Sequence, residues 1–473
     1  NVVLKDDTEV LSEVVVVGYG VQKKANLSGA VAQVNSDELT NRPISNVSSG
    51  LQGLMPGVTI TAGQGRPGED GSNIRIRGVG TLNNASPYIL IDGVESGSMN
   101  DLDPNDIESI SVLKDASATA VYGVRGANGV MLITTKRGKE QKPEVNLTAN
   151  WQIQSPTRKD TYLDSYQSVT LLEEALANDG LPSQFSANDI EMYRKSVAGQ
   201  LNGLEAMLYP NVDWYDQVLK SSAPAQRYNV SVRGGTKRMR YYASGEFYDQ
   251  KGLVKNLSQD MYGNSSSPSY RRYAFRANMD LFLTKDLTFS VNFGTRFEER
   301  RGSNTNESNN YSETFYELNH TPGWLFPVSY EVQNGESTRT LYGGSSQYQN
   351  NIVGRLAQGG YYRATNTINE TNFIVDYKLG WLTEGLSAKG MVSFDYDSYY
   401  KRLFSADFAT YELNDRDNYT QIDAYNRFNT DGELAYSKAT STTYKLYMEA
   451  QLNYARSFGK HDVTAMVLYN QND

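Results

Sequence analysis

The stretch Ile107–Gly138, IESISVLKDASATAVYGVRGANGVMLITTKRG, leads directly up to the sharpest change in composition along the chain. A helix-start signal precedes it: Asp103 can serve as the cap, Pro104 suits the first helical position, and acidic residues fill the first turn. The apolar residues that would share one face of this helix are Ile107, Ile110 and Leu113. The pattern therefore predicts a helix here, within a region of short strands broken by glycine and proline.

Aromatic residues and glycines are unevenly distributed on the two sides of residues 139–143. The chain has 34 Tyr, 15 Phe and 4 Trp, of which only Tyr19, Tyr88 and Tyr122 precede residue 143. Glycine shows the opposite bias, since 18 of its 40 residues lie in the first 142. The chain therefore divides into a glycine-rich region and an aromatic region, which must build different kinds of structure.

Length, charge and cysteine content limit the possible functions. The chain has 473 residues, enough for two or three domains, and a formal net charge of −9 that argues against a nucleic-acid partner. It has no cysteine, which excludes disulfides and thiolate metal sites. No signal peptide is apparent at its start, as expected for a processed or truncated product. No run of 18 apolar residues predicts a transmembrane helix, but barrel strands need only about 10 residues, half of them polar.

After Pro143, apolar and polar residues alternate with a period of two. The alternation is clear in EVNLTANWQIQSP, and it recurs in LTFSVNFGTRF (287–297) and TYKLYMEAQLNYARSF (443–458). Short connections at Gly234–Arg238 and Thr284–Asp286 alternate with long polar ones, which is typical of an outer-membrane barrel. A soluble β-sandwich would alternate as well, although its strands are usually shorter. About ten or eleven strands are predicted after residue 143.

One insert interrupts this alternation. Residues 162–180 space their apolar side chains as a helix does, with Gly180 as the C-terminal signal. The following segment predicts a second short helix with Ser186 or Asn188 as its N-cap.

Several stretches resemble one known family. The segments IRIRG (74–78), YILIDGV (88–94) and Ile107–Gly138 resemble the plug domain of TonB-dependent outer-membrane transporters. The last of them is similar to the signature of the SusC/RagA family, the large nutrient importers of Bacteroidetes. Residues 213–256 are similar to the early barrel of that family. The resemblance covers residues 13–255 and, more loosely, the rest of the chain.

The resemblance implies a membrane all-β fold with an N-terminal α/β plug domain. The barrel of this family has about 22 strands, of which about half would be present in this chain. The implied divisions are a tail of a carboxypeptidase-regulatory-like domain (1–12), a TonB-box segment (13–20), the plug (21–142) and the first half of the barrel with long extracellular loops (143–473).

The resemblance also implies a function in the outer membrane. It implies TonB-dependent active import of a nutrient, with an oligosaccharide favoured and an oligopeptide as the alternative. The implied partners are a SusD-like surface lipoprotein, the TonB–ExbB–ExbD complex and outer-membrane lipid. No enzymatic activity, cofactor or metal is expected. A surface binding module without transport stays an alternative, and its apolar strand faces would meet in a closed core rather than form an outward band.

Two sets of site residues follow from the resemblance. The predicted TonB-interacting residues are Glu13, Val14, Val15, Val16, Val17, Gly18, Tyr19 and Gly20. This β-prone segment can add as a strand to a partner's sheet edge, and we expect it to be loosely docked when TonB is absent. The predicted plug–wall contacts are Arg75, Arg77, Asp92 and Arg125. Their alternative role is that of solvated surface charges.

Catalytic or metal-binding patterns are weak. His320 and His461 stand apart from any metal-ligand spacing, and the glycine-rich segment at 63–71 lacks the ending of a phosphate-binding loop. The segment NDRDNYTQID supplies carboxylates but lacks the central glycine of a calcium loop. Substrate-binding residues are not identified by any motif.

Overall fold

A computed structural model describes most of the chain. The described residues are 14–17, 20–23, 31–40, 42, 44–63, 65–258, 265–304, 310–459 and 461–473. Residues 1–12, together with Glu13, Gly18 and Tyr19 of the predicted TonB segment, lie outside them.

The glycine-rich region forms short strands and short helices. They are β1 (Val14–Val17), β2 (Gly20–Lys23), β3 (Val31–Asn35), α1 (Ser36–Thr40), α2 (Val47–Gly50), β4 (Val58–Thr61), β5 (Asn73–Ile76), β6 (Tyr88–Ile91), β7 (Val94–Glu95), β8 (Ile107–Leu113), α3 (Ala116–Thr119) and β9 (Val130–Thr135).

A five-stranded sheet in the order β3-β8-β9-β6-β7 forms the centre of this region. Strands β6 and β9 are parallel, and the other neighbours are antiparallel. Its main core is aliphatic, with Ile107, Ile110 and Val112 of β8 and Met131 of β9 all 0% exposed. Small and branched side chains thus form the main core of this compact α/β domain, and a second cluster adds Tyr122.

The helix predicted at Ile107–Leu113 is wrong. Asp103 does act as a cap and Pro104 does begin a helical turn, but this turn is a 3-10 helix that ends at Asp106. The residues that follow form β8, which lies between β3 and β9 in the sheet. β-Branched residues favour this central position, where four consecutive residues from Ile110 are buried, so tertiary pairing overrides the local helix signal.

The aromatic region contains long strands and several helices. In chain order they are β10 (Gln141–Gln154), α4 (Ser165–Asn178), α5 (Ala187–Val197), α6 (Gly203–Leu208), α7 (Trp214–Val218), β11 (Ala223–Gly235), β12 (Met239–Lys251), β13 (Ser269–Phe282), β14 (Leu287–Ser303), α8 (Asn310–His320), β15 (Ser329–Asn334), β16 (Ser337–Gly343), α9 (Ile352–Gln358), β17 (Gly360–Lys378), β18 (Leu386–Ser405), β19 (Thr410–Leu413), β20 (Tyr425–Phe428), β21 (Ala435–Phe458) and β22 (His461–Asn472).

Nine of these strands form one antiparallel sheet, which we call the wall. Its order is β10-β11-β12-β13-β14-β17-β18-β21-β22. The short connections predicted after β11 and β13 are confirmed, and the long connections lie at the opposite end of the strands. Strands β15, β16, β19 and β20 form a separate four-stranded sheet within the long connections. Thirteen strands are thus described from Gln141 onward, nine of them in the wall, where ten or eleven were predicted.

The two predicted helices of the insert are confirmed. Asp164 caps α4, and Gly180 follows its end with a φ of +67°. Ser186 caps α5 in a capping box with Asp189, which excludes Asn188 as the cap.

The two faces of the wall differ as the alternation predicts. Phe275, Phe297, Phe373 and Phe394 project from one face and are 45–52% exposed. The opposite face carries buried polar residues and packs on the glycine-rich domain. The apolar residues therefore form an outward band instead of a closed core, which favours a barrel over a sandwich.

No helix in the described part of the chain combines the length and the hydropathy needed to cross a membrane.

Candidate functional site: the contact between the glycine-rich domain and the wall

The most deeply buried charges at this contact surround Glu246 of β12. Its side chain is 1% exposed, and its carboxylate accepts hydrogen bonds of 2.9 Å from both Nε and Nη2 of Arg272. Arg227 Nε lies 3.0 Å from the same carboxylate. Both arginines also donate to the glycine-rich domain: Arg272 Nη1 to Asn100 O at 2.9 Å, and Arg227 Nη2 to Ser45 O at 2.6 Å. One wall carboxylate thus orients two arginines that hold backbone of the other domain.

Two aspartates in the segment before β8 also contact the wall. Asp103 uses Oδ1 to cap the 3-10 turn and accepts a 2.6 Å hydrogen bond from Asn229 Nδ2 at Oδ2. Asp106 accepts a 2.7 Å hydrogen bond from Tyr242 OH and lies 4.0 Å from Arg276 Nε. Burial raises the pKa of Asp106, and the neighbouring Asp103 carboxylate acts in the same direction. The 3-10 turn therefore places the carboxylates of Asp103 and Asp106 within hydrogen-bonding distance of the wall.

Asp101 forms a third ionic contact in the same segment. Its Oδ2 lies 2.8 Å from Arg296 Nη2, and the arginine side chain is 7% exposed. Burial raises the pKa of Asp101 to about 6, although Arg296 opposes this shift; Glu370 and Glu298 add to it. The Asp101 carboxyl therefore changes its charge closer to neutral pH than an exposed aspartate does.

A second cluster joins the end of β9 to the wall near its short turns. Arg137 donates to Asp280 Oδ1 at 2.7 Å and to Asn292 Oδ1 at 3.1 Å. Asn278 Nδ2 donates to Thr135 Oγ1 at 2.8 Å. These bonds use side chains from β13 and β14, so the two domains are tied at this end as well.

A third contact lies near the long connections, where the loop before β5 meets the wall. The Arg66 side chain is 2% exposed and donates to Tyr362 OH at 2.7 Å. Gly68 N donates to Gln250 Oε1 at 3.1 Å. Gly68 has a φ of +73°, and a Cβ there would lie 2.4 Å from the Tyr270 ring, so only glycine fits. This glycine-rich loop therefore serves close packing against the wall.

Most of the described contacts between the two domains are hydrogen bonds and ion pairs, and apolar side chains pack across the contact in one small cluster. Val94 packs with Ile374 and Met391 of the wall in a small cluster. The main aliphatic core lies inside the glycine-rich domain. Because hydrogen bonds to protein can be exchanged for hydrogen bonds to water, the two domains can separate here without exposing that core.

The predicted plug–wall residues are placed differently from the residues described above. Arg75 donates within its own domain, to Ile74 O and Ser86 Oγ, and Arg77 pairs with Asp115.

Arg125 pairs with Glu95 at 2.6 Å. Asp92 accepts from Thr135 N at 3.0 Å and from its hydroxyl at 2.6 Å, within the same domain. Asp92 also lines a cavity shared with the wall residues Asp280 and Asp376. The contacts found for the four predicted residues thus lie within the glycine-rich domain, and a role for them at the wall stays a prediction.

The wall residues that make the contact were not selected from the sequence. In the sequence they could have been recognised as charged residues on β12, β13 and β14 that lie on the face opposite the exposed aromatic residues. The residues that carry it are Glu246, Arg272, Arg276 and Arg296.

The described part of the predicted TonB segment forms a hairpin. Val14–Val17 pairs antiparallel with Gly20–Lys23, and the pair is a separate two-stranded sheet. Each strand therefore keeps one edge without a strand partner among the described residues, so β-addition remains sterically possible. Recognition by TonB stays a prediction.

Comparison with known proteins identifies both domains. Residues 23–130 match the TonB-dependent Receptor Plug Domain. Over 304 residues the chain is 35% identical to TonB-dependent receptor SusC of Bacteroides thetaiotaomicron, covering 62% of this chain and 27% of that protein. These similarities support a SusC/RagA-type TonB-dependent transporter. The chain is also 35% identical over 292 residues to TonB-dependent receptor P26 of Formosa agariphila, covering 60% of this chain and 26% of that protein.

The fold of the chain agrees with a solved structure. The structure of the RagAB peptide importer in the closed-closed state superposes with a TM-score of 0.67 at 21% identity, covering 94% of this chain and 47% of that one. The glycine-rich domain is therefore the plug, and the wall is part of an outer-membrane β-barrel. The chain spans about a quarter of the two curated relatives, 26% and 27% of their lengths. From the usual arrangement of such barrels, we expect the short turns to be periplasmic and the long connections to be extracellular.

Proposed function

We propose that the protein containing this chain actively imports a nutrient across the outer membrane by moving the plug relative to the barrel wall. The observation that carries the proposal is the chemistry of the plug–wall contact. The plug keeps its own aliphatic core, while the buried ion pair of Asp101 with Arg296 and hydrogen bonds from Arg272, Arg227 and Asn229 hold it to the wall. A contact of this kind is specific in geometry, and it can be exchanged for water when the plug is pulled.

The path of force through the plug supports this mechanism. Strand β3 follows the predicted TonB segment in sequence and pairs with β8. β8 begins directly after Asp106, the last of the three aspartates that contact the wall. A pull on the N-terminal segment is therefore transmitted through β3 to β8 and then to the contacts of Asp101, Asp103 and Asp106.

The substrate that we favour is an oligosaccharide. A cavity of about 560 Å³ lies among the extracellular loops, and its lining includes the amides of Asn304, Gln349 and Asn429. Amide groups beside the ring of Phe408 suit the hydroxyls and the apolar faces of a sugar. An oligopeptide is the alternative, because the RagAB neighbour is a peptide importer and amides bind peptide backbone equally well.

The partners that we propose are those of the family. A SusD-like lipoprotein would cover the extracellular side, and the TonB–ExbB–ExbD complex would supply the energy from the inner membrane. We propose no enzymatic activity, since receptors of this family are transporters.

The transport proposal is tested by locking the plug in full-length protein. Asp103→Cys with Asn229→Cys, joined by a short reducible cross-linker, ties plug to wall, and no native cysteine of this chain competes for the reagent. We expect uptake by cells to stop when the pair is linked and to return on reduction. The matched control joins two wall residues, Ser231→Cys with Ser244→Cys, which are directly paired. Uptake that continues with the plug linked would contradict the proposal.

The role of the N-terminal segment and the substrate class need separate measurements. Deletion of Val14–Val17 should abolish uptake while leaving substrate binding unchanged; unchanged uptake would show that energy enters elsewhere. Calorimetry with a neutral oligosaccharide mixture and with a tryptic peptide mixture distinguishes the two substrate classes. Phe408→Ala should weaken binding of the sugar about tenfold, because stacking on the ring is lost. Binding of peptides alone would establish the alternative.

A further inference from the structure

A further cavity lies between the plug sheet and the end of the wall that carries the short turns. Its volume of about 430 Å³ is within the range of small-molecule pockets. We call it the turn-end cavity. The residues that define it are Asp92, Tyr122 and Leu132 of the plug and Phe282, Ile374 and Asp376 of the wall. Plug and wall thus border a space of ligand size on the side away from the extracellular loops.

Two pairs of opposite charges line the turn-end cavity. Arg137 donates to Asp280 Oδ1 at 2.7 Å, and Lys389 Nζ lies 3.4 Å from Glu449 Oε1. Because both cations are already paired with carboxylates, the cavity disfavours an anionic ligand. Asp376 also lines it, and within the part of the chain that the structure describes its carboxylate has no hydrogen bond or ion pair. The oxygens of Asp376 can therefore accept hydrogen bonds from a ligand.

Apolar groups line much of the same cavity. They include Leu90 of the plug, Ile374 of the wall and the rings of Tyr122 and Phe282. A sugar presents hydroxyl groups at its edges and C–H groups on its faces, so it can donate to a carboxylate while its faces pack on apolar side chains. The combination of the Asp376 carboxylate with these apolar groups therefore suits a neutral oligosaccharide.

The turn-end cavity and the cavity among the extracellular loops lie at opposite ends of the same strands. The extracellular cavity is bordered by Asn304, Gly359 and Ala406, which stand directly beyond the ends of β14, β17 and β18. The turn-end cavity is bordered by Asp376 near the other end of β17 and by Lys389 near the other end of β18. A nutrient that followed the inner face of these strands would pass from one cavity to the other.

The hairpin of β6 and β7 meets these strands between the two cavities. Val94 of β7 packs on Ile374 and Met391 of the wall. A small cavity of about 20 Å³ beside it is lined by Asn292 and Asn372, which are 2% and 8% exposed. Among the described residues, Asn292 Nδ2 and Asn372 Oδ1 have no hydrogen-bond partner. The closed passage thus keeps one unused donor and one unused acceptor, and a hydroxyl group combines the two matching functions.

We propose that the turn-end cavity is a second binding site for the imported oligosaccharide, which occupies it after the plug moves and before release. This inference rests on the proposed function. Asp376 accepts hydrogen bonds from the sugar hydroxyls, and the rings of Tyr122 and Phe282 contact the sugar faces. The β6–β7 hairpin separates this site from the extracellular cavity while the plug is docked.

The test measures thiol labelling of full-length protein in detergent, where both ends of the wall face the solution. Thr288→Cys places a thiol in the lining of the turn-end cavity, directly opposite Asp376 on the next strand. We expect a saturating neutral oligosaccharide mixture to slow its labelling at least threefold. The control thiol, Lys285→Cys, lies in the neighbouring short turn and should label at the same rate with and without sugar.

Two further variants assign this protection to the turn-end cavity. Adding Asp376→Asn to Thr288→Cys should abolish the protection, whereas adding Phe408→Ala should leave it intact, because the sugar enters from the end with the short turns. A tryptic peptide mixture should give no protection. Absence of protection by sugar, unchanged protection in the Asp376→Asn variant, or protection by peptides alone would overturn the proposal.

Uptake by cells separates this inference from the transport proposal. With the native Thr288, Asp376→Asn should lower uptake of the sugar at least threefold while binding at the extracellular cavity stays unchanged. Import by the unmodified protein together with full uptake in this variant would overturn the second site and leave transport standing. Protection of Thr288→Cys without any import by the unmodified protein would instead overturn the transport proposal, while binding in the turn-end cavity would be established.

Discussion

The plug has two buried surfaces of opposite character. Around β8 its core is aliphatic, with Ile107, Ile110 and Val112 all 0% exposed. Where it meets the wall, the buried groups are charged, as in Asp101 with Arg296 and Asp106 with Arg276. The aliphatic core stabilises the plug as a unit, because exposing it to water is unfavourable. The polar contact holds the unit in place through bonds that water can replace. The difference fits our proposal that the plug is internally rigid and moves as a whole.

The largest expected effect comes from breaking the charge cluster. Glu246→Gln removes the charge that balances two buried arginines, and we expect the plug–wall contact to weaken by about 3–5 kcal/mol. Hydrogen exchange of full-length protein in detergent should rise at residues 44–45 and 99–106 but not inside the plug sheet. Glu144→Gln, on the exposed part of β10, is the control. Exchange that rises equally throughout the plug would show that the two surfaces are not independent.

The next effect falls on the other surface. Ile110→Ala leaves a cavity beside Ile107 and Met131, and we expect the plug to lose about 2–5 kcal/mol of stability. Here hydrogen exchange should rise in β3, β8 and β9 while the wall strands stay protected. A change confined to the wall contact would contradict the assignment of Ile110 to the core.

The pH dependence of plug docking tests whether the plug binds the wall better when its buried aspartates are protonated or when they are charged. Burial raises the pKa of Asp101 to about 6 and also raises that of Asp106. A solvent-exposed aspartate titrates near 3.9, so docking takes up protons between about pH 4 and 6. The contribution of these groups to docking is therefore complete below about pH 4 and is lost as the pH rises through about 6.

We thus expect residues 99–106 to be better protected at pH 5 than at pH 7.5, after correction for intrinsic exchange rates. Asp101→Asn with Asp106→Asn should flatten this dependence. Weaker protection at the lower pH would mean that the ion pairs outweigh desolvation.

The smallest effect is expected at a residue selected from the sequence alone. Arg77 is paired with Asp115 on the plug surface, and their side chains are 55% and 28% exposed. Such pairs contribute about 0–1 kcal/mol, so Arg77→Gln should leave plug docking and uptake nearly unchanged. Loss of uptake in this variant would instead support a contact with the wall.

Much of the architecture could be predicted from local patterns. The change of composition near residue 140 separates plug from wall, because glycine-rich and aromatic sequences cannot build the same kind of domain. The turns after β11 and β13, the glycine that follows the end of α4 and the N-cap of α5 depend on neighbouring residues only, and they were predicted. The helix at Ile107–Leu113 was wrong, because its strand neighbours β3 and β9 are distant in sequence.

By itself, the sequence determined which side of each wall strand faces lipid and which faces the plug, because side chains alternate across a strand whatever surrounds it. It also carried the resemblance that the comparisons confirm. Only the tertiary structure decided which charges meet. Asp103 and Asn229 are 126 residues apart along the chain, and no local period relates them.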